Sequence, residues 1–373
     1  MNVEQARALT ARLAERIATN SGDEAPSMLT EDVLDFLSPE RAEREMRRFF
    51  RETPQVVGFA GELAEPRSWL TAEIAGVPML VTRDADGGLH AMLNACAHRG
   101  ARVATDRGTG RRFTCRSHGW TYDACGVLIA RPRAECFDPP DERTRLTRLP
   151  VSDRSGLIVV GLDPAMSQSV VDEHLADIEL ELAGFDFRAV RALGTHRFEV
   201  EANWKLVAAL SYESYHFATL HRDTVATWFA PNAVHDFFGR HSRWAFARRG
   251  TEHLLSQDRA KWPESVPGVL SHALFPGSVL IVTPDDAQII RGEPGPTPGT
   301  SVAWLIGAYR VPEKLEESRA AFEFGLRAFQ TEDLPAAEQS QRGLAAGRQT
   351  LLIGRNEPVV QFWHRQWREA LGD

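Results

Sequence analysis

Two short stretches in the first half of the chain could hold a metal centre: Cys96-Ala97-His98 and, sixteen residues further on, Cys115-Arg116-Ser117-His118. Each offers one thiolate and one imidazole. Together they suit a structural zinc ion, which takes four such ligands, or a [2Fe–2S] cluster in which two histidines replace two cysteines on one iron. The distribution favours the cluster. Zinc modules commonly pair cysteine with cysteine and histidine with histidine, whereas each stretch here supplies one of each kind. Cys125 and Cys136 fit no ligand position and read as small buried hydrophobes. Four cysteines in 373 residues are too few for a disulfide framework.

A second group begins with Asn203-Trp204-Lys205 and continues with Tyr212-Glu213-Ser214-Tyr215-His216-Phe217-Ala218-Thr219-Leu220-His221. His216 and His221 are five residues apart, a spacing that an ideal α-helix spreads over roughly 140° of its circumference. The two imidazoles converge only if the helix ends or widens between them, a deviation frequent at functional sites.

The first pair of stretches resembles the Rieske motif, C-x-H, sixteen residues, then C-x-x-H. Asn94 to Gly100 and His118-Gly119-Trp120-Thr121-Tyr122-Asp123 are similar to its two cluster loops. The second group resembles the mononuclear-iron segment of the Rieske non-haem iron oxygenases, N-W-K followed by D/E-x-Y-H-x4-H. The resemblance runs from about Phe50 to Arg348 and is loosest between Asp223 and Thr331, where substrate choice would reside.

It implies a terminal oxygenase subunit, mono- or dioxygenase, with two iron cofactors. Cys96 and Cys115 would hold the inner ferric iron of the cluster and His98 and His118 the outer one. His216, His221 and a late carboxylate would hold Fe(II) and leave positions for dioxygen and substrate. Glu332-Asp333, followed by Glu338 and Gln341-Arg342-Gly343, resembles the carboxylate segment, and its register selects Asp333; the same two acids also suit a helix N-terminus. In the family a bridging acid links the two centres between neighbouring subunits. Carried over, Glu213 would connect His216 with His118 of an adjacent protomer in a cyclic homotrimer. Electrons would come from a separate reductase or ferredoxin.

Two positions depart from the best-known ring-hydroxylating members. Glu213 stands where they carry aspartate, and Ala208-Ala209 stand where they carry an acid-amide pair. Glutamate at the first position resembles the subgroup that includes carnitine and related quaternary-amine monooxygenases. Tyr212, Tyr215, Phe217, Trp228, Phe229, Phe237, Phe238, Trp244 and Phe246 crowd this region; two or three of them would line a pocket suited to an aromatic ring or a trimethylammonium group.

The elements that must position these residues divide by texture. Amphipathic periodicity predicts helices at Val3 to Ile17 and Pro39 to Phe50. Short apolar runs at Val77 to Thr82, Leu89 to Asn94, Arg112 to Cys115, Val127 to Ala130 and Leu157 to Val160, separated by turn signals, predict a small antiparallel β domain. Beyond Asp163, helices are expected at Glu173 to Leu182, Trp204 to His221, Leu315 to Phe329, Leu334 to Ala346 and Val359 to Ala370. Strands are expected at Val279 to Val282, Ala287 to Gly292 and Val302 to Arg310. The fold class is therefore α+β: N-terminal helices over residues 1–50 packing on the catalytic domain, a Rieske domain over 51–163, and a catalytic domain over 164–373. The last is expected to be an antiparallel sheet covered by helices, helix-grip-like.

Composition narrows the alternatives. The chain carries 43 Lys+Arg against 51 Asp+Glu, and its arginines are scattered, which disfavours a nucleic-acid groove or a membrane patch. No apolar stretch approaches the roughly 18 residues of a membrane helix, so a soluble cytoplasmic protein is expected. A Rieske electron carrier without oxygenase activity would leave some two hundred residues after Asp163 unused. A zinc-stabilised binding protein is the other competing class.

Overall fold

The computed structural model describes residues 1–373, which divide into two compact units. The first unit comprises Phe49–Ala176 and Asp186–Arg191. It is built from short antiparallel strands. Five form one sheet in the order Arg148–Leu149, Leu89–Leu93, Val77–Arg83, Ser68–Ile74 and Arg107–Thr109. Phe113–Thr114, Thr121–Tyr122 and Leu128–Ala130 form a separate three-stranded meander. Leu80, Met92, Phe113, Trp120, Tyr122 and Leu146 pack into one core that also encloses the side chains of Cys96 and Cys115.

The second unit comprises Met1–Arg48, Asp177–Phe185 and Ala192–Asp373. Seven strands form its sheet, in the order Arg191–Val200, Ser301–Tyr309, Asp286–Pro294, Ser278–Val282, Gly268–Leu274, His241–Arg248 and Phe229–Phe238. Apart from the first, each pairs antiparallel with its neighbour. Helices Trp204–Leu210, Leu315–Ala328 and Pro358–Leu371 pack on this sheet, and Val3–Ala18 packs against its last two strands. The fold is α+β, a small antiparallel β unit and a helix-covered antiparallel sheet.

Several elements differ from expectation. The strands at 241–248 and 268–274 carry no clear alternation, because His241 to Ala247 and Val269 to Leu274 are buried throughout; the strand at 229–238 mixes buried and partly exposed positions without a two-residue period. The helix expected from Trp204 to His221 stops at Leu210 and gives way to a 3₁₀ turn at Tyr215–Ala218. The expected break between Phe329 and Leu334 is instead a π turn, Phe329–Asp333, joining two α-helical runs. Pro335 has no N–H to return to the preceding turn, so the hydrogen-bond ladder is interrupted there and the wider turn absorbs the gap. Likewise the helix expected to reach Phe50 is α-helical only over Pro39–Glu45 and continues as a π turn to Arg51. No helix is long and apolar enough to cross a membrane.

The Asn203-Trp204-Lys205 stretch is an anchor. Asn203 caps the helix through Lys205 N–H and ties it to the carbonyls of Phe36 and Pro298. Lys205 Nζ donates to both oxygens of Glu45 at 2.6 Å, with the two side chains 2% and 1% exposed. Trp204 Nε1 and Arg41 Nε also donate to that carboxylate. The indole of Trp204 packs on Trp363 and Trp367 of the C-terminal helix. Lys205→Met removes the ammonium from a buried carboxylate that keeps only Arg41 and Trp204 as donors, and should cost about 1–3 kcal/mol of unfolding free energy in denaturant titration. Pairing it with Glu45→Leu should recover most of that loss; no recovery would mean that the pair's burial is not the source of the cost.

Candidate metal centres

In the first unit the two stretches fold into matching loops. Cys96 N–H donates to the Ala101 carbonyl and Gly100 N–H returns to the Cys96 carbonyl, each at 2.8 Å. Cys115 N–H donates to the Trp120 carbonyl at 2.8 Å and Gly119 N–H returns to the Cys115 carbonyl at 2.9 Å. Both glycines take positive φ, 77° and 73°, a conformation that side chains resist. Each loop thus buries its cysteine and lifts its histidine outward. The His98 and His118 rings lie 4.6 Å apart, with His98 half-buried and stacked on Trp120 and His118 exposed.

The two thiols share the interior. Burial works against ionisation of Cys115, but donors on Ser117, Cys96 and His118 outweigh it and hold the thiol below its ordinary value. Tyr122 Oη lies 3.2 Å from Cys96 Sγ and accepts the Ala97 N–H at 3.0 Å, so its hydroxyl is placed to donate to the sulfur when that is a thiolate. Thiols paired inside and imidazoles paired outside suit a two-iron cluster with one ligand type per iron better than a single tetrahedral ion. Tyr122, which the sequence offered only as part of a loop, holds the sulfur that the loop buries.

In the second unit the end of the helix at Leu210 lets the chain turn sharply, and the His216 carbonyl accepts the N–H groups of Thr219 and Leu220. His216 and His221 then face each other with ring centroids 4.8 Å apart. A carboxylate holds the Nδ1 of each ring. Glu213 Oε1 meets His216 Nδ1, and its Oε2 accepts the backbone N–H groups of Tyr215 and His216. Glu332 Oε2 meets His221 Nδ1 and also accepts from Thr224 Oγ1 at 2.8 Å.

With both Nδ1 atoms engaged, both Nε2 atoms turn to Asp333. Its Oδ1 is 3.1 Å from His221 Nε2 and 3.7 Å from His216 Nε2. That oxygen is buried and accepts no hydrogen bond. One donor atom from each of the three residues lies within 4.8 Å of the other two. A cation placed among them would satisfy all three, and two imidazoles with one carboxylate match a ferrous ion of the facial-triad kind. Burial alone would pull the His221 imidazole down, yet Asp333 and Glu332 together raise it above its ordinary value.

The π turn explains why two adjacent acids both reach the histidines: Glu332 takes Nδ1 of His221, and Asp333 takes the space between the Nε2 atoms. The sequence register selects Asp333 alone, whereas the structure gives Glu332 a contact of its own. Glu338, from the same segment, reaches only the Glu201 N–H and Arg342. Phe217, Trp244, Phe246 and Phe229 form a chain of ring contacts beginning 5.7 Å from the His221 ring. Tyr215 and Trp228 are 69% and 59% exposed, and Tyr212 is fully buried against Trp363. The two remaining cysteines correct the expectation of burial, since Cys125 is half-buried and Cys136 exposed.

A small β unit with two Cys-and-His loops and a separate helix-covered sheet carrying two histidines and an aspartate define an iron–sulfur protein with a second, mononuclear metal centre. Residues 187–373 match the family described as ring hydroxylating alpha subunit (catalytic domain), and residues 53–150 match the Rieske [2Fe-2S] domain. The chain belongs to the ring-hydroxylating alpha subunit family, whose cofactors are a Rieske [2Fe–2S] cluster and a mononuclear iron.

Among curated relatives, it is 32% identical over 202 residues to the anthranilate 1,2-dioxygenase large subunit of Acinetobacter baylyi, covering 52% of this chain and 42% of that one. It is 31% identical over 175 residues to the glycine betaine monooxygenase oxygenase subunit of Chromohalobacter salexigens, covering 46% and 38%. The matched stretches thus span about two fifths of those relatives' length. Among solved structures, a quaternary ammonium Rieske monooxygenase superposes with a TM-score of 0.79 at 19% identity, covering 92% of this chain and 96% of the other. Naphthalene 1,2-dioxygenase from Rhodococcus sp. superposes with a TM-score of 0.76 at 18% identity, covering 98% of both. At these identities the likeness is one of fold.

Two outcomes test this geometry. Tyr122→Phe removes the hydroxyl aimed at Cys96 Sγ and should lower the cluster's reduction potential without loss of colour, read by redox titration; an unchanged potential would separate the hydroxyl from the sulfur's electronics. Glu332→Ala frees the His221 ring and should weaken iron retention against a chelator about 10- to 100-fold. Unaltered retention would make that carboxylate a bystander.

Proposed function

We propose that the chain is a cytoplasmic terminal oxygenase component that hydroxylates or oxidatively dealkylates a small organic molecule with O2 and electrons from a separate reductase or ferredoxin. Cys96, His98, Cys115 and His118 would hold the cluster, and His216, His221 and Asp333 the mononuclear iron. The observation that carries the reading is the buried, unsatisfied Asp333 Oδ1 facing two imidazole Nε2 atoms in a chain that also bears the two cluster loops. When bound, the iron supplies open positions for dioxygen and substrate, and the cluster supplies electrons singly.

The chain's own residues do the rest. Glu213 and Glu332 fix each ring's tautomer so that Nε2 carries the lone pair. Glu213 is 7% exposed, yet the next but one residue, Tyr215, is 69% exposed, so the His216 clamp lies just beneath the surface. A short path from outside, through Glu213 to His216, suits electron delivery from His118 of a neighbouring protomer in a homotrimer. Phe217, Trp244 and Phe246 are buried beside His221 and exclude water from that face.

Such a wall suits an aromatic ring or a trimethylammonium group, the two substrate classes in the relatives' names. Glu213 in place of aspartate favours the quaternary amine. Glu213→Gln tests the wiring: it should retain both metals and a normal cluster spectrum while product formation under excess reductant collapses. Normal turnover would remove Glu213 from the electron path. Oxygen uptake across a panel of aromatic acids, aryl ethers and quaternary amines decides the substrate class.

A further inference from the structure

Outside both iron centres, three residues of different donor type converge in the first unit. Asp84, His90 and Cys125 each offer an atom within 4.8 Å of the other two. They come from two hairpin turns. Asp84 opens the turn between strands Val77–Arg83 and Leu89–Leu93, and its Oδ1 accepts the N–H groups of Asp86 and Gly88 at 2.9 and 2.7 Å. A side chain at residue 88 would meet that carboxylate at 2.6 Å, so glycine leaves the space in which it sits. Oδ2 is thereby pointed at His90 Nε2, 2.8 Å away.

Cys125 lies on the turn between Thr121–Tyr122 and Leu128–Ala130. Asp123 Oδ1 accepts the N–H groups of Cys125 and Val127, and Thr82 Oγ1 donates to the Ala124 carbonyl, which fastens this turn to the first sheet. Cys125 Sγ lies 3.5 Å from His90 Nε2.

One ring nitrogen therefore faces both the carboxylate and the sulfur. A proton relay of acid, histidine and thiol needs the two ring nitrogens, one for each partner. The arrangement is instead that of three ligands around one point. Bond lengths at tetrahedral zinc place ligand nitrogen and sulfur about 3.5 Å apart and nitrogen and oxygen about 3.3 Å apart. The N···S separation already has this value, and the N···O contact need open by only about half an ångström. We propose that Asp84, His90 and Cys125 form a binding site for a borderline divalent transition metal, zinc fitting best, with water as fourth ligand. Zinc accepts thiolate, imidazole and carboxylate together, whereas magnesium and calcium take oxygen ligands and would leave the thiolate and the imidazole unused. All three side chains are half-buried, so the ion can exchange with solvent.

The test uses the full-length protein with both iron centres loaded and Zn2+ alone as probe. Equilibrium dialysis should show one additional zinc per chain, with affinity weakened tenfold or more in Cys125→Ser and His90→Ala. In the unmodified protein, Zn2+ should slow iodoacetamide alkylation of Cys125 about tenfold or more, while the exposed Cys136 reacts at its usual rate. Zinc uptake unchanged in both variants, or alkylation of Cys125 indifferent to Zn2+, overturns the site. The alkylation measurement decides it even if the variants do not fold.

Discussion

The second unit's chemistry depends on one constraint: each of two imidazoles has its Nδ1 held by a carboxylate. A free histidine ring can present either nitrogen and rotate about its side-chain bonds. Glu213 on His216 and Glu332 on His221 remove that freedom, and only the Nε2 edges remain to face Asp333. The cost of burying an oxygen with no donor, as at Asp333 Oδ1, makes sense where a cation meets it.

That constraint needs a scaffold that does not yield. The backbone carrying His216 and His221 is irregular: short turns close it locally, the His216 carbonyl accepting from Thr219 and Leu220 and the His221 carbonyl from Thr224 and Ala226, and contacts at its ends place it. On one side stands the helix Trp204–Leu210, held by the buried Lys205–Glu45 pair and by Trp204 against the C-terminal helix. Ser214 Oγ bonds the Pro231 carbonyl at 2.7 Å and ties the turn to the strand beyond it. Glu332 and Asp333 arrive from the far end of the chain on a π turn, a geometry that lets neighbours on one helix serve two different atoms of the same imidazole.

Much of this could be read from residue order. The Cys-x-His and Cys-x-x-His stretches, the closing helices at 315–328, 334–345 and 358–371, and the strands at 278–282, 286–294 and 301–309 all follow from local pattern. For the two imidazoles to converge, the five-residue spacing requires the helix to end or to widen, and it ends at Leu210. What escaped notice has physical causes. Strands buried on both faces, as at 241–248, lose the alternation that marks a strand. A π turn leaves no periodic signature, so Glu332 and Asp333 looked like alternatives. The Asp84, His90 and Cys125 cluster joins two turns far apart in sequence, and no spacing rule reaches across them.

On this reading the two Nε2 atoms and Asp333 Oδ1 form an iron site separate from the cluster. Iron and acid-labile sulfide analysis of anaerobically matured protein tests it most directly. About three irons and two sulfides per chain are expected, with the third iron bound outside the cysteine-and-histidine cluster. Two irons and two sulfides would leave the cluster standing and remove the mononuclear centre.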